Sequence, residues 1–260
     1  MNINEIFGRL DKLFAENRIS EVERYLTQAL SEAEYDGDRE TMQAIYNELI
    51  SFHRSTGEYD KALYFCRQVI RLAEKMEIDD TVSYGTTLMN VTNTHRAAGL
   101  AYFRQVRDIY QGQVSPYDIL MATYYNNVAM LYQDLGDFDK AVDSFEQALA
   151  IIERHDKAGN EIAIIYVSLG ESLLRAGRLD EAKDRLAEAV RRYQLMGERG
   201  YHYSAALSAM AETFYRQGDL VQALKYYELA AEEIYGIYGD NDTYRVIMGN
   251  IETVKSQLMN

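Results

Sequence analysis

Proline, cysteine and tryptophan are nearly absent from this chain, which has one proline, one cysteine and no tryptophan in 260 residues. Proline interrupts helices, so its scarcity leaves room for long helical segments. The single cysteine, Cys66, excludes a disulfide within the chain and favours a reducing compartment. The sequence is therefore typical of a helical, cytoplasmic protein.

Long apolar runs are missing as well. No window approaches the 18 apolar residues of a membrane helix, and the N-terminal stretch MNINEIFGRLDKLF is charged where a signal peptide would be apolar. Acidic residues outnumber basic ones by 41 to 27, which gives a formal net charge of −14. Because nucleic acids and anionic membranes attract basic surfaces, we expect neither as a partner.

The usual signatures of catalysis are also absent. The chain has no GxGxxG, phosphate-loop, HExxH, GxSxG or CxxC pattern. Neighbouring acids such as Glu232 and Glu233 are interpreted as exposed residues of a helix, and Cys66 as an inert packing residue. We expect no enzyme activity, no cofactor and no metal.

What the chain does contain is an internal repeat. Residues 124–148, YYNNVAMLYQDLGDFDKAVDSFEQA, have the apolar spacing of two amphipathic helices that meet at Gly136. A tight turn between helices needs a residue that tolerates positive φ, such as glycine or asparagine. The equivalent turn residues, 37 to 42 places apart, are Asn17, Gly57, Gly99, Gly136, Gly177 and Gly218.

A column of small side chains follows these turns. Five residues after each turn except Gly99 stand Val22, Ala62, Ala141, Ala182 and Ala223. Small residues at a fixed place let neighbouring helices approach closely, while larger ones fill the grooves between them. The pattern predicts a stack of helix pairs.

These columns resemble the tetratricopeptide repeat, in the long form found in kinesin light chains and many bacterial proteins. The best copies are YNNVAMLYQDLGDFDKA, residues 125–141, and YNELISFHRSTGEYDKA, residues 46–62. The resemblance covers essentially the whole chain, although the usual repeat has about 34 residues. It implies an all-α, right-handed α-solenoid of about six antiparallel helix pairs with a C-terminal capping helix.

We expect a single solenoid over residues 1–260. Its repeats lie at approximately 1–36, 37–78, 79–115, 116–158, 159–199 and 200–239, and its capping helix at 240–260. The third repeat is short by about one helical turn. The segment after it, QGQVSPYD, holds the only proline, and we expect Ser115 to cap the next helix with Pro116 in its first turn. This segment is the best candidate for a hinge; a fixed loop is the alternative.

Asparagines recur on the first helices of the pairs. Asn90, Asn127 and Asn250 align in one column, with Asn47 and Asn126 one place earlier. A side-chain amide both donates and accepts, so a ladder of amides can hold the backbone of an extended peptide. The resemblance to kinesin light chains carries that role to Asn90, Asn126 and Asn127, and we place Asn47 in the same groove. The alternative is that the amides only bond neighbouring helices to one another.

Arginines are expected on the same concave surface. Arg54 and Arg96 share one column, and Arg175 and Arg216 share the next. Four arginines in one groove could bind carboxylates or phosphates. The alternative is that they are neutralised by acids on the same surface, namely Asp134, Glu171 and Glu212.

Aromatic and histidine side chains complete the candidates. The aromatic residues expected at the groove are Phe7, Tyr124 and Tyr215. His53 and His95 share a packing column 42 residues apart. A metal site would need further ligands, and no carboxylate is obviously supplied, so both histidines are interpreted as core residues.

Two functional interpretations follow. The first is a non-catalytic scaffold that holds an extended peptide or partner segment in its concave groove. The alternative is a peptide-responsive regulator that resembles repeat proteins of Gram-positive quorum sensing. Those carry an N-terminal output domain, for which we expect no room before the first repeat. We expect a monomer or a weak homodimer, the latter through exposed Phe7 and Phe14.

Overall fold

The computed structural model describes residues 3–77, 79, 81–94, 99–155 and 159–259, and within these ranges all regular structure is helical. The chain divides into two compact units, unit 1 at Met1–Val114 and unit 2 at Ser115–Asn260. Among the described helices, none is long and apolar enough to cross a membrane.

Unit 1 is built from three successive helix pairs. Its helices are α1 (Ile3–Ala15), α2 (Val22–Asp36), α3 (Arg39–Ser55), α4 (Tyr59–Met76), α5 (Val82–Thr94) and α6 (Gly99–Tyr110), and a 3₁₀ turn at Ile19–Glu21 precedes α2. Two of the predicted turn residues, Asn17 and Gly57, have positive φ angles of 54° and 77°. Leucine, isoleucine and valine side chains from α1 to α5 form its core.

Unit 2 repeats the arrangement with longer helices. These are α7 (Ile119–Asp134), α8 (Phe138–Ile152), α9 (Gly159–Arg175), α10 (Leu179–Met196), α11 (Tyr201–Arg216), α12 (Leu220–Tyr238) and α13 (Asp242–Leu258). Its turn residues Gly136, Gly177 and Gly218 have φ between 76° and 82°, as the repeat pattern predicts. The chain is thus the predicted all-α solenoid of antiparallel helix pairs.

Small residues set the spacing of the helices in unit 2. Ala141, Ala182 and Ala223 are completely buried, as the column of small residues predicts. Gly170 on α9 is packed so tightly against α10 that an added Cβ would lie 2.5 Å from Cγ of Leu186. The second helices therefore pack directly onto the backbone of the first helices and fix where the first-helix side chains point.

The last helix has the two faces expected of an end helix. Ile247, Ile251 and Val254 of α13 are buried. Glu252 on the opposite side is exposed, and Lys255 pairs with Glu228 of α12 at 3.0 Å. One face of α13 thus packs against the core of unit 2, as expected of a capping helix.

Two predictions around the third repeat are wrong. Gly99 is the first residue of α6 and not a turn residue between helices. Ser115 does not cap α7: that helix begins at Ile119, and the Asp118 carboxylate accepts the Leu120 N–H at 2.9 Å. The Ser115 hydroxyl instead accepts the N–H of Tyr117. A carboxylate is the better acceptor for a helix N-terminus, which carries a partial positive charge.

Glu233 is buried, which contradicts its interpretation as an exposed residue. Its carboxylate accepts the Gly200 N–H at 2.6 Å and pairs with Arg199 at 2.6 Å, while its own side chain is 2% exposed. Gly200 precedes α11 with a φ of 117°. Glu233 thereby anchors the start of α11 to α12, which sets the position of α11 within unit 2.

Candidate functional site

A cleft of about 800 Å³ lies within unit 2. It is lined mainly by α7, α9, α11 and α13, which are the first helices of successive repeats. Helix α11 contributes a run of small side chains, Ser204, Ala205, Ser208 and Ala209. Because these side chains are short, the cleft is open along the length of α11.

The repeat places charged side chains on this cleft at regular positions. Asp134, Arg175 and Arg216 each stand two residues before a turn glycine, and Glu171 and Glu212 each stand six residues before one. All five line the cleft. The arginines and acids predicted to share a surface in this part of the chain are therefore brought together.

Glu212 and Arg216 form a closed cluster. Arg216 Nε donates to Glu212 Oε1 at 2.7 Å, and Arg216 Nη1 donates to the Leu174 carbonyl at 3.2 Å. The Tyr227 hydroxyl donates to Glu212 Oε2 at 2.9 Å. Burial, reinforced by the Glu212 carboxylate, raises the pKa of Tyr227, so this hydroxyl keeps its proton. Both oxygens of Glu212 thus have partners, and the cluster is electrically balanced.

Arg175 is held by an aromatic ring. Its guanidinium carbon lies 5.1 Å from the centroid of Phe138, within the range of a cation–π interaction. Among the described residues, no carboxylate forms an ion pair with Arg175. This side chain consequently extends across the cleft wall with donors available to a ligand.

Glu171 is the carboxylate of the cleft that lacks a partner. It is half-buried on α9, and burial raises the pKa of its carboxyl group. No hydrogen bond or ion pair from the described part of the chain reaches it. Arg175, one helical turn away, lies over Phe138 instead. Glu171 therefore presents an uncompensated negative charge to the cleft.

The asparagines of unit 1 bond to neighbouring helices. Asn47 Nδ2 on α3 donates to Thr87 Oγ1 on α5 at 3.1 Å, and Gln43 Nε2 donates to the same hydroxyl at 3.0 Å. Asn90 Nδ2 donates to Asn47 Oδ1 at 3.4 Å. These amides link α3 to α5, in line with the structural alternative considered for the ladder.

Arg54 lies on a smaller cavity of unit 1. The cavity measures about 240 Å³ and is lined by residues of α1, α2 and α3, including Phe14, Glu48 and Arg54. Burial, with a smaller contribution from Asp11, raises the pKa of Glu48. Arg96 and His95 lie outside the described residues.

His53 lies in a charged network that the sequence did not reveal. It is fully buried and stacks on Phe65, as expected of a core residue. Two carboxylates approach it, Glu58 at 2.8 Å from Nδ1 and Glu23 at 3.6 Å from Nε2, so the expectation that none is supplied is wrong. The Lys61 ammonium lies 3.0 Å from Glu23 and 3.1 Å from Glu58. This cation pairs with both carboxylates and already occupies the place between them.

Comparison with known proteins identifies the repeat. The sequence profile of the tetratricopeptide repeat family matches residues 97–154 and 161–232, which together make up half of the chain. The chain belongs to the tetratricopeptide repeat family. Proteins of this family generally bind protein partners. No curated protein matches the sequence.

Solved structures share the fold at low sequence identity. BtubC (BKLC) from P. vanneervenii is 21% identical, with a TM-score of 0.67 over 77% of this chain and 82% of that one. Kinesin light chain TPR-like repeats from Podosopora anserina are 17% identical, with a TM-score of 0.64 over 75% and 96%. The apo form of RapI is 8% identical, with a TM-score of 0.77 over 99% and 72%. These likenesses show a tetratricopeptide repeat solenoid and do not extend to function.

The predicted site residues of this tetratricopeptide repeat protein fall into three groups. Arg175 and Arg216 line the cleft of unit 2; Asn250, which only shared the column of Asn90 and Asn127, lines it as well. Asn126 and Asn127 lie on α7 outside the described lining, and the Tyr215 hydroxyl accepts Gln257 Nε2 at 2.6 Å against α13. The remaining predicted residues, Asn47, Arg54 and Asn90, belong to unit 1.

Two of the aromatic residues predicted at the groove are packing residues. Tyr124 is only 7% exposed and belongs to the core of unit 2. Phe7 packs against the core of unit 1. Their ring area is used by the fold, so the prediction of a ligand-stacking role for Tyr124 is wrong.

Sequence reasoning overlooked the contribution of α13 to the cleft. Asp242, Thr243 and Val246 line it although α13 was interpreted only as a cap. The signal was present, because Asn250 aligns with Asn90 and Asn127. Helix α13 occupies the position that the first helix of a further repeat would have. One of its faces therefore covers the core, and another lines the groove.

Proposed function

We propose that this protein is a non-catalytic scaffold that binds an extended peptide, or an extended segment of a partner protein, in the cleft of unit 2. The observation that carries the proposal is the cleft itself. Its volume of about 800 Å³ falls within the range of roughly 300–1,000 Å³ typical of ligand sites. Its walls come from equivalent faces of consecutive repeats, so a ligand would meet similar chemistry at regular intervals.

The walls combine apolar and polar groups as a peptide site requires. Val246 and Tyr201 line the cleft and are 65% and 55% exposed, which leaves apolar area for a ligand side chain to cover. Ser208 and Ala205 leave room for a backbone to approach α11 closely. Asn250 adds an amide that can donate to and accept from that backbone. We assign the contacts of the peptide to these side chains together with Arg175 and Arg216.

A protein is favoured over nucleic acid as the partner. The net charge of −14 opposes a phosphate backbone, and the cleft has at least as many acidic as basic side chains. A cytoplasmic site of action is part of the proposal, since the single cysteine, Cys66, is buried and has no second cysteine in the chain to pair with.

Selection from a random peptide display library tests the proposal. Peptides enriched on the wild-type protein should bind Ser208→Trp at least about tenfold more weakly, because an indole at this position fills the cleft. Val221→Trp is the matched control, since Val221 is 65% exposed on α12 and away from the cleft lining. Thermal melting of both variants establishes that they are folded.

Two results would overturn the proposal. One is a selection that enriches no peptide above background on the wild-type protein. The other is a set of enriched peptides that bind Ser208→Trp as tightly as they bind Val221→Trp, which would place their site elsewhere.

A further inference from the structure

Most charged side chains of the unit 2 cleft have a hydrogen-bond, ionic or aromatic partner within the protein, and Glu171 does not. This difference indicates the chemistry of the ligand. Glu212 has Arg216 and Tyr227 as partners, and Asp242 pairs with Arg245 at 3.2 Å. Arg175 is held by the Phe138 ring. Glu171 has no such partner within the described chain. One anionic position on the cleft is therefore unfilled.

We infer that the cleft recognises peptides that carry a lysine or arginine, whose cationic group pairs with the Glu171 carboxylate. The inference rests on the proposed function and names its ligand class. A half-buried carboxylate without a partner is unfavourable in the free protein, because burial removes part of its hydration. A charge-assisted hydrogen bond from an ammonium or guanidinium group would replace the hydration that the Glu171 carboxylate loses on burial.

The electrostatics of the surroundings favour a cation over an anion. The acids Asp134, Glu171, Glu212 and Asp242 line the cleft together with two arginines, Arg175 and Arg216. By formal charge, four carboxylates and two guanidinium groups give this lining an excess of negative charge. The net charge of −14 adds a long-range attraction for basic segments. An acidic peptide would instead be repelled by the net charge of the chain and by the carboxylates of the lining, and it would be attracted only by the arginines.

Binding of a cationic peptide should weaken on acidification. Burial raises the pKa of Glu171, so this carboxylate becomes protonated at a higher pH than an ordinary glutamate. A bound cation favours the ionised form, lowers that pKa again and releases a proton. The affinity should thus fall as the pH drops through the raised pKa of Glu171. The other charged and titratable groups that line the same cleft are Asp134, Arg175, Tyr201, Glu212, Arg216, Tyr227 and Asp242.

The probes are three pools of fluorescein-labelled peptides of equal length. Their flanking positions hold the same mixture of neutral residues, and their central residue is lysine, glutamate or methionine. Fluorescence anisotropy should show the lysine pool binding the wild-type protein about tenfold more tightly than the glutamate pool, which one charge-assisted hydrogen bond suffices to produce. Glu171→Gln should remove this preference, and Glu171→Lys should reverse it.

The matched control is Glu232→Gln, which makes the same change of net charge at an exposed residue of α12. It should keep the preference for lysine, as should the wild-type protein. Suppose that the pools bind the wild-type protein and do not bind Ser208→Trp. If the wild-type protein then shows no preference for the charge of the central residue, or if Glu171→Gln keeps the preference, the inference is overturned while the proposed function stands. If no pool binds the wild-type protein, both are overturned.

Discussion

Asn47 in unit 1 and Asn126 in unit 2 occupy the same place in the repeat, ten residues before a turn glycine, yet their surroundings differ. Asn47 bonds across helices to Thr87 and accepts from Asn90. Asn126 donates only a weak hydrogen bond, at 3.8 Å, to the sulfur of Met130 in its own helix. One repeat position therefore serves helix packing in one unit and contributes little to packing in the other.

Carboxylates show the same contrast. In unit 1, Glu23 and Glu58 lie on either side of His53 and share Lys61, so each carboxylate has a cationic partner within the fold. In unit 2, Glu171 faces the cleft without a cation. The carboxylates of the His53 network thus pair within unit 1, whereas Glu171 of unit 2 has no partner among the described residues.

The largest expected effect concerns the anchor of α11. Glu233→Ala removes the acceptor of the Gly200 N–H and the partner of Arg199, and it should destabilise the protein by about 2–3 kcal/mol, the cost of a buried polar group left unpaired. Hydrogen exchange should accelerate across residues 201–216 and stay unchanged in residues 39–55 of unit 1. Glu232→Ala, at the exposed neighbour, is the control. Equally faster hydrogen exchange in both segments would contradict the view that the contacts of Glu233 stabilise unit 2 alone.

A smaller loss is expected where helices touch at glycine. Gly170→Ala should cost about 1–3 kcal/mol, because the new methyl group would overlap the buried Leu186 side chain. Gly85→Ala in unit 1 should behave similarly, since its added Cβ would lie 2.5 Å from the Tyr110 ring. Gly249→Ala on α13 meets no atom within 4 Å and should stabilise the protein by about 0.5–1 kcal/mol. Urea denaturation of the three variants measures these differences.

The paired asparagines give a direct comparison of the units. Asn47→Ala should lower the free energy of unfolding by about 1 kcal/mol, because Thr87 and Asn90 each lose a partner. Asn126→Ala should change it by less than about 0.5 kcal/mol. Urea midpoints that fall by the same amount for both variants would show that the two amides have the same role.

Much of this architecture could be predicted from the sequence, because the repeat restricts each position many times over. The turn glycines, the buried alanines and the shared surface of Arg175, Arg216, Glu171 and Glu212 follow from spacing alone. The hydrogen-bond and ionic partners of these side chains do not follow from the spacing. Arg175 could reach Glu171 one turn away on the same helix, yet it lies over Phe138 of the preceding repeat. That choice depends on the distance between helices, which a linear pattern does not contain.

The start of individual helices was harder to predict for a similar reason. Ser115 and Asp118 are both good capping residues, and the chain uses Asp118. Gly99 has the residue type of a turn, but it begins α6. A residue type permits a conformation, and the packing of the neighbouring helices decides whether that conformation is adopted.

Whether Glu171 is unpaired in the free protein can be measured by thermal melting of Glu171→Gln as a function of pH. Because burial raises the pKa of Glu171 in the folded state, ionisation of this carboxylate opposes folding. The penalty develops as the pH rises above the ordinary pKa of glutamate and is complete above the raised pKa. The glutamine variant should therefore be more stable than wild type at neutral pH, by about 1 kcal/mol or about 2–4 °C. The advantage should shrink as the pH falls and vanish below the ordinary range of glutamate. A variant that melts lower than wild type at neutral pH would show that Glu171 already has a stabilising partner, and it would contradict the account.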